Sequence, residues 1–124
     1  MDDQLALRIQ LFREGGQVRP EAVDFVAAEL TALADEGRPV TEKTAGMLTS
    51  HLMMALTRLL DGEPVEAFLT DEQVAAELDG HPEAVARARR TAARASAELG
   101  ADLPTSEINF LAMHLAVLAR RVTG

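Results

Sequence analysis

Two pairs of polar residues stand at the same spacing in otherwise apolar segments and could together receive a phosphoryl group. His51 and Arg58 are seven residues apart, and so are Glu107 and His114. In an α-helix this spacing leaves two side chains about 20° from the same face and roughly 10 Å apart along the axis. A neutral imidazole is a nucleophile near neutral pH, a carboxylate can orient it, and a guanidinium can hold two phosphate oxygens. These four residues are the candidate site.

The helices that must position the two pairs have recognisable start and stop signals. Thr41 is a suitable N-cap for a helix from Glu42 to Leu60, and a second helix runs from Pro104 to Arg121. Side chains lean toward the N-terminus of their helix, so His114 leans toward Glu107 while Glu107 leans away. We therefore expect the site residues to meet between helices rather than within one.

The direction of the two helices decides which residues meet. If the helices pack as antiparallel neighbours, His51 lies level with His114 and Arg58 with Glu107. Parallel packing would pair His51 with Glu107 instead. Both arrangements gather two imidazoles, one guanidinium and one carboxylate into one cluster.

The rest of the chain also follows helical periodicity, and no strand pattern of period two is present. We predict four further helices: Asp2–Arg13, a segment from Pro20 to a stop at Gly37, a short helix from Thr70 to Asp79, and Pro82–Leu99. The sequence thus predicts an all-α protein of one domain over residues 1–124. Residues 1–16 form an N-terminal helical extension and residues 17–124 a helical bundle.

Composition excludes several classes of protein. With 48% hydrophobic residues but only 3% aromatic ones, the core must be built mainly from aliphatic side chains, which suits close helix packing. The chain has no Cys, so disulfides and thiolate metal sites are absent. A net charge of −8 opposes direct nucleic-acid binding. No apolar run is long enough to span a membrane and the first residues do not resemble a secretory signal, so we expect a cytoplasmic protein.

Motifs of the common enzyme classes are missing. The sequence has no phosphate-binding glycine loop, no HExxH zinc pair and no GxSxG nucleophile motif. We therefore expect neither an enzyme nor a cofactor.

The residues around both histidines resemble a known family. The pattern His51-Leu52-x-x-Ala55-x-x-Arg58, followed by Leu103-Pro104-x-x-Glu107-Ile108-x-Phe110-x-Ala112-x-His114, is similar to the phosphotransferase-system regulation domain, or PRD. The resemblance covers roughly residues 20–121. The most visible departure is Ser50, which stands where family members often have Asp. The helix at residues 1–14 has no recognised family counterpart.

The resemblance implies a fold, partners and a modification. PRDs are bundles of five helices, in two antiparallel pairs plus a short helix, with the two histidine-bearing helices antiparallel, and they are usually dimeric. Their histidines accept phosphate from phosphorylated HPr or from enzyme II components of sugar transport, which implies phosphorylation of His51 and His114 supported by Arg58 and Glu107. The length suggests a stand-alone single PRD, forming a homodimer and acting through another, unknown output protein in transcriptional or metabolic regulation.

Simpler interpretations remain open for each residue. Either histidine could be a core residue. The aliphatic part of the Arg58 side chain could cover a packed helix while its guanidinium reaches water, and Glu107 could simply interact with the positive N-terminal end of its helix dipole. The protein could be a helical adaptor or dimerisation module that keeps the PRD fold without phosphorylation. A zinc site using both histidines and Glu107 is a third alternative.

Four arginines of the helix from Pro82 to Leu99 are expected to form a solvated face or to recruit an acidic partner: Arg87, Arg89, Arg90 and Arg94.

Overall fold

The computed structural model describes residues 2–63 and 78–123, with side chains up to residue 118, and the regular structure in these ranges is entirely α-helical. The helices are α1 (Asp3–Gly15), α2 (Pro20–Asp35), α3 (Glu42–Leu60), α4 (Pro82–Leu99) and α5 (Thr105–Thr123). The all-α prediction is confirmed. The short helix predicted from Thr70 to Asp79 lies almost wholly outside the described residues.

Local sequence signals fix the ends of these helices. At the start of α3 the Thr44 backbone N–H donates to the Thr41 hydroxyl at 3.2 Å, and the Thr41 N–H donates to the Thr44 hydroxyl at 2.9 Å. This reciprocal cap satisfies two backbone donors that helix geometry leaves without partners. Helices α2 and α4 begin with Pro20 and Pro82, where the missing N–H costs nothing. Helix α4 ends at Gly100, whose φ of 69° is readily available only to glycine.

The core is aliphatic, as the composition predicts. Helix α3 packs against α1, α2 and α5, and α4 packs against α2 and α5. Ala88 and Ala95 of α4 are fully buried, and such small side chains let α4 and α5 approach closely over much of their length. The largest fully buried hydrophobic side chains come from four helices: Leu5, Leu30, Leu33, Met53, Leu56, Leu111, Leu115 and Leu118.

The prediction that the arginines of α4 form a solvated face is wrong for Arg87. Its guanidinium is buried and lies 2.7 Å from Glu29 of α2, whose side chain is only 2% exposed. Thr91 donates to Glu29 at 2.8 Å, and half-buried Arg94 donates to its other oxygen at 2.7 Å. A buried carboxylate needs such partners to offset the loss of water. Arg89 and Arg90, in contrast, are exposed.

Hydrogen bonds and an ion pair join the N-terminal extension to α3. Arg8 of α1 binds the Glu42 carboxylate with its Nε and Nη2 atoms and donates from Nη1 to the Ser50 hydroxyl at 2.8 Å. The Asp2 carboxylate accepts the Glu42 backbone N–H at 2.8 Å. Helix α1 therefore contacts the N-terminal half of α3, from Glu42 to Ser50, the residue before His51. Among the described residues no helix is both long and apolar enough to cross a membrane.

Candidate functional site

The centre of the site is a hydrogen bond between α3 and α5. His51 Nε2 lies 2.6 Å from Glu107 Oε2, although 56 residues separate the two along the chain. The expectation that the site residues meet between helices is thus met for this pair. Glu107 is bonded to an imidazole rather than to Arg58, which is the pairing expected for parallel helices and not the one expected for the antiparallel arrangement that the resemblance implies. The His51 side chain remains 28% exposed, so the ring can be reached from outside.

Glu107 is an unusual residue in this position because it is buried. It is 2% exposed, and its second oxygen, Oε1, has no hydrogen-bond partner among the described residues. Leaving a buried acceptor unsatisfied costs roughly 1–3 kcal/mol, and more when the group is charged. Its place in the first turn of α5 offsets part of that cost through the positive end of the helix dipole. A carboxylate kept at such a cost is better explained by its contact with His51 than by packing.

Phe110 connects the two histidines. Its ring centroid lies 4.2 Å from that of His51 and 4.3 Å from that of His114. Its backbone carbonyl accepts a hydrogen bond from His114 Nδ1 at 3.1 Å, one helical turn away. Sequence reasoning gave Phe110 no role in the site, yet its position three residues after Glu107 and four before His114 puts it on their face of α5.

The surroundings of His114 favour the neutral imidazole. Burial lowers the pKa of His114 below its ordinary value, and the nearby His51 adds to that lowering. The hydrogen bond to the Phe110 carbonyl acts in the opposite direction but does not outweigh burial. Because only the neutral ring has a nucleophilic nitrogen, His114 keeps its nucleophilic form to a lower pH than an ordinary histidine.

This lowered pKa predicts a pH dependence of stability that His114→Gln removes. Between the lower pKa of the folded state and the ordinary value near 6.5, the unfolded chain binds more protons, so stability falls as pH falls. We expect the natural protein to lose stability between pH 7.5 and 5.5 by at most about 1.4 kcal/mol per pH unit from this group, and the variant to lose less. Urea unfolding at three pH values measures the difference. His81→Gln is the matched control, and equal pH slopes for the natural protein and His114→Gln would contradict the prediction.

Arg58 lies apart from this cluster. It is exposed, two turns beyond His51 along α3, and lines a cavity of about 260 Å³ together with Met54, Thr57 and Asp61 of α3 and its C-cap. Phe12 and Val18, from α1 and the connection to α2, form another wall of that cavity. The structure therefore brings together His51, Glu107 and His114, while Arg58 faces the N-terminal extension.

The surface around the histidines is apolar and exposed. Met47 is 73% exposed and Met54 50% exposed, one turn before and one turn after His51 on α3. Val117, three residues after His114 on α5, is exposed as well. Methionine side chains adapt to partners of different shape, and exposed apolar side chains grouped around polar ones mark interaction sites.

The zinc alternative finds no support in the described part of the chain. No group of three or more His, Cys, Asp or Glu side chains in residues 2–63 and 78–118 is arranged to hold a metal ion. Glu107 and the two histidines are joined through one hydrogen bond and the Phe110 ring instead.

Comparison with known proteins gives one match. Residues 37–118 match the family model described as the PRD domain, which is more than half of the chain and includes α3, α4 and both histidines of the site. Helix α1 and α2 precede the matched residues. No curated protein and no solved structure matches the chain.

Proposed function

Since the chain belongs to the PRD family, we propose that it is a regulatory domain phosphorylated on His51 and His114 by phosphorylated HPr or an enzyme II component of the sugar phosphotransferase system. The observation that carries the proposal is the 2.6 Å bond between His51 and buried Glu107. This bond holds a half-exposed imidazole in one orientation, as nucleophilic or general-base histidines require.

The electrostatics of the cluster suit a reversible switch. A phosphoryl group adds a charge of roughly −1.5 to −2, by analogy with phosphorylated hydroxyls. At His51 or His114 that charge would arrive close to the Glu107 carboxylate, in the contact between α3 and α5. Repulsion there would alter how the two helices pack and so change the surface that a second copy of the chain, or an output protein, recognises.

The exposed methionines support docking of a protein partner at the site. Met47, Met54 and Val117 lie within about one helical turn of a histidine along α3 or α5, and burying their exposed side chains would supply apolar contact for a partner. The same surface supports the second candidate, an adaptor that binds partners through this patch and is not phosphorylated. The two candidates differ in whether the histidines are needed.

Phosphotransfer can be measured with the purified protein, enzyme I, HPr and phosphoenolpyruvate. We expect acid-labile phosphate on the natural protein, label at one site in His51→Ala and in His114→Ala, and none in the double variant. His81→Ala is the matched control because His81 lies at the N-cap of α4, outside the cluster, and it should be labelled as the natural protein is. Mass spectrometry under neutral conditions assigns the sites.

Two outcomes would reject phosphorylation as the function. One is a folded natural protein that takes no label from HPr or from enzyme II components. The other is a double variant that is labelled as well as the natural protein. If a partner captured by the natural protein also binds the unlabelled double variant with the same affinity, the adaptor function is favoured.

A further inference from the structure

Helix α1 carries apolar residues on a face that the core does not use. Leu5 and Ile9 are buried and join the helix to the core. Leu7 and Leu11 lie one turn apart on another face and are 57% and 59% exposed. The two outer leucines therefore contribute little to packing within the chain.

The exposed leucines border a cavity of about 630 Å³. Phe12 adds to its apolar lining, and the charged residues of that lining are Arg8 of α1 and Glu42 of α3. These two neutralise each other in an ion pair, so the described lining presents no unpaired charge to an occupant. A cavity of this size with a mainly apolar lining suits apolar side chains of another molecule.

The exposed face of α3 connects this cavity with the histidine site. Ser50, whose hydroxyl accepts a hydrogen bond from α1, directly precedes His51. Met47 and Met54 are each three or four residues from both of them, which is the spacing of neighbours on a helix surface. Both methionines are exposed. An apolar surface therefore runs from α1 across the two methionines to His51.

A second contact confirms that α1 adjoins the methionines. Phe12 of α1 and Met54 of α3 line the same cavity of about 260 Å³, and Phe12 also lines the larger cavity beside Leu7 and Leu11. The groove along α1 and the surface next to His51 are thus parts of one continuous face.

Resting on the proposed function, we infer that the protein donor that phosphorylates His51 docks along this face and inserts apolar side chains into the cavity beside α1. Leu7 and Leu11 are then specificity-determining residues for the donor, although they take no part in the chemistry. Helix α1 precedes the residues that match the family model, so this contact belongs to a part of the chain outside that match.

The area that a protein partner must cover supports this assignment. A donor has to bring its phosphoryl group to an imidazole that is 28% exposed, so its surface must lie over the side chains next to that ring. A specific protein interface usually buries about 800 Å² of each partner. The partly exposed side chains of Met47, Met54 and Val117 supply only a fraction of that area, and the apolar surface that continues from the methionines lies on α1.

The variant Leu7→Ser/Leu11→Ser tests the inference. Both side chains are exposed, so we expect the variant to fold, as an unchanged urea midpoint would show. The concentration of phosphorylated HPr, or of the enzyme II component where that is the donor, that gives half-maximal labelling should rise by about 10-fold or more, as when apolar anchors of an interface are truncated. Labelling by phosphoramidate, a small donor that needs no docking surface, should keep its rate.

The matched control is Ala6→Ser/Gln10→Ser. It places two serines at exposed positions of the same helix that do not line the cavity, and it should be labelled as the natural protein is.

Methyl NMR of the natural protein gives a second measurement that needs no variant. When the unphosphorylated donor is added, we expect the methyl signals of Leu7 and Leu11 to shift together with those of Met47 and Met54. Shifts confined to the methionines would contradict docking on α1.

The remaining outcomes separate this inference from the proposed function. An unchanged half-maximal concentration in the leucine variant, or equal slowing with phosphoramidate, would overturn the inference and leave the function standing. A change from dimer to monomer with unchanged labelling would assign this face to a second copy of the chain, which also overturns it. If phosphoramidate labels the natural protein but no protein donor does, the function fails and the inference fails with it.

Discussion

Replacing Glu29 with alanine should lower the free energy of unfolding by about 3–5 kcal/mol, the usual loss when one partner of a buried ion pair is removed. The variant removes the oxygen that buried Arg87 and Thr91 share and the partner of Arg94 on α2, and it leaves Arg87 with Glu36 as its remaining carboxylate. Because small domains are stable by only about 5–15 kcal/mol, the loss should be visible as a large shift of the urea midpoint.

The matched control is Asp24→Ala in the same helix. Asp24 forms an ion pair with Arg13 at 2.8 Å, but both side chains are exposed, so we expect a loss below about 1 kcal/mol. Equal losses in the two variants would show that the contacts of Glu29 contribute no more than a surface pair. A double-mutant cycle of Glu29→Ala with Arg87→Ala would then measure their coupling directly.

Replacing Glu107 with glutamine should slow the proposed phosphorylation of His51 by about 10-fold to 100-fold, the usual effect of removing a group that orients a functional imidazole. A glutamine amide has nearly the same shape but can either donate or accept, so it no longer selects one tautomer of His51.

The second histidine provides an internal control for this variant. His114 is held by the backbone carbonyl of Phe110, which the substitution leaves in place, so its phosphorylation should change much less than that of His51. Site-resolved mass spectrometry over a time course gives both rates from one sample. Equal slowing at both sites, or unchanged labelling of His51, would contradict a positioning role for Glu107.

Local signals explain how much of the fold was predictable. The cap at Thr41, the prolines that open α2 and α4, and the glycine that ends α4 act within a few residues, so the sequence predicts these helix ends well. The burial of Arg87 could not be predicted in the same way. It depends on Glu29, which comes from another helix and looks like an ordinary surface acid in the sequence.

The site was predictable in its composition but not in its contacts. Spacing and family resemblance select His51, Glu107 and His114, and the structure places these three close together. Which residue meets Glu107 depends on how α3 and α5 are placed against each other. The spacing leaves both directions open, and the antiparallel direction that the resemblance implies predicted Arg58 rather than His51 beside Glu107. The support role predicted for Arg58 stays a prediction, since in the structure it lines the cavity beside α1. Phe110 was missed because a phenylalanine on a buried helix is normally explained by packing alone.

The site is divided unequally between its two helices. Glu107, Phe110 and His114 all belong to α5, whereas His51 alone comes from α3. A displacement of α3 relative to α5 would break the contacts of His51 with Glu107 and Phe110 together and would leave the bond between His114 and Phe110 unchanged. The environment of the His51 ring therefore depends on the distance between the two helices. The NMR signals of His51 can report changes in that distance, and those of His114 provide the reference.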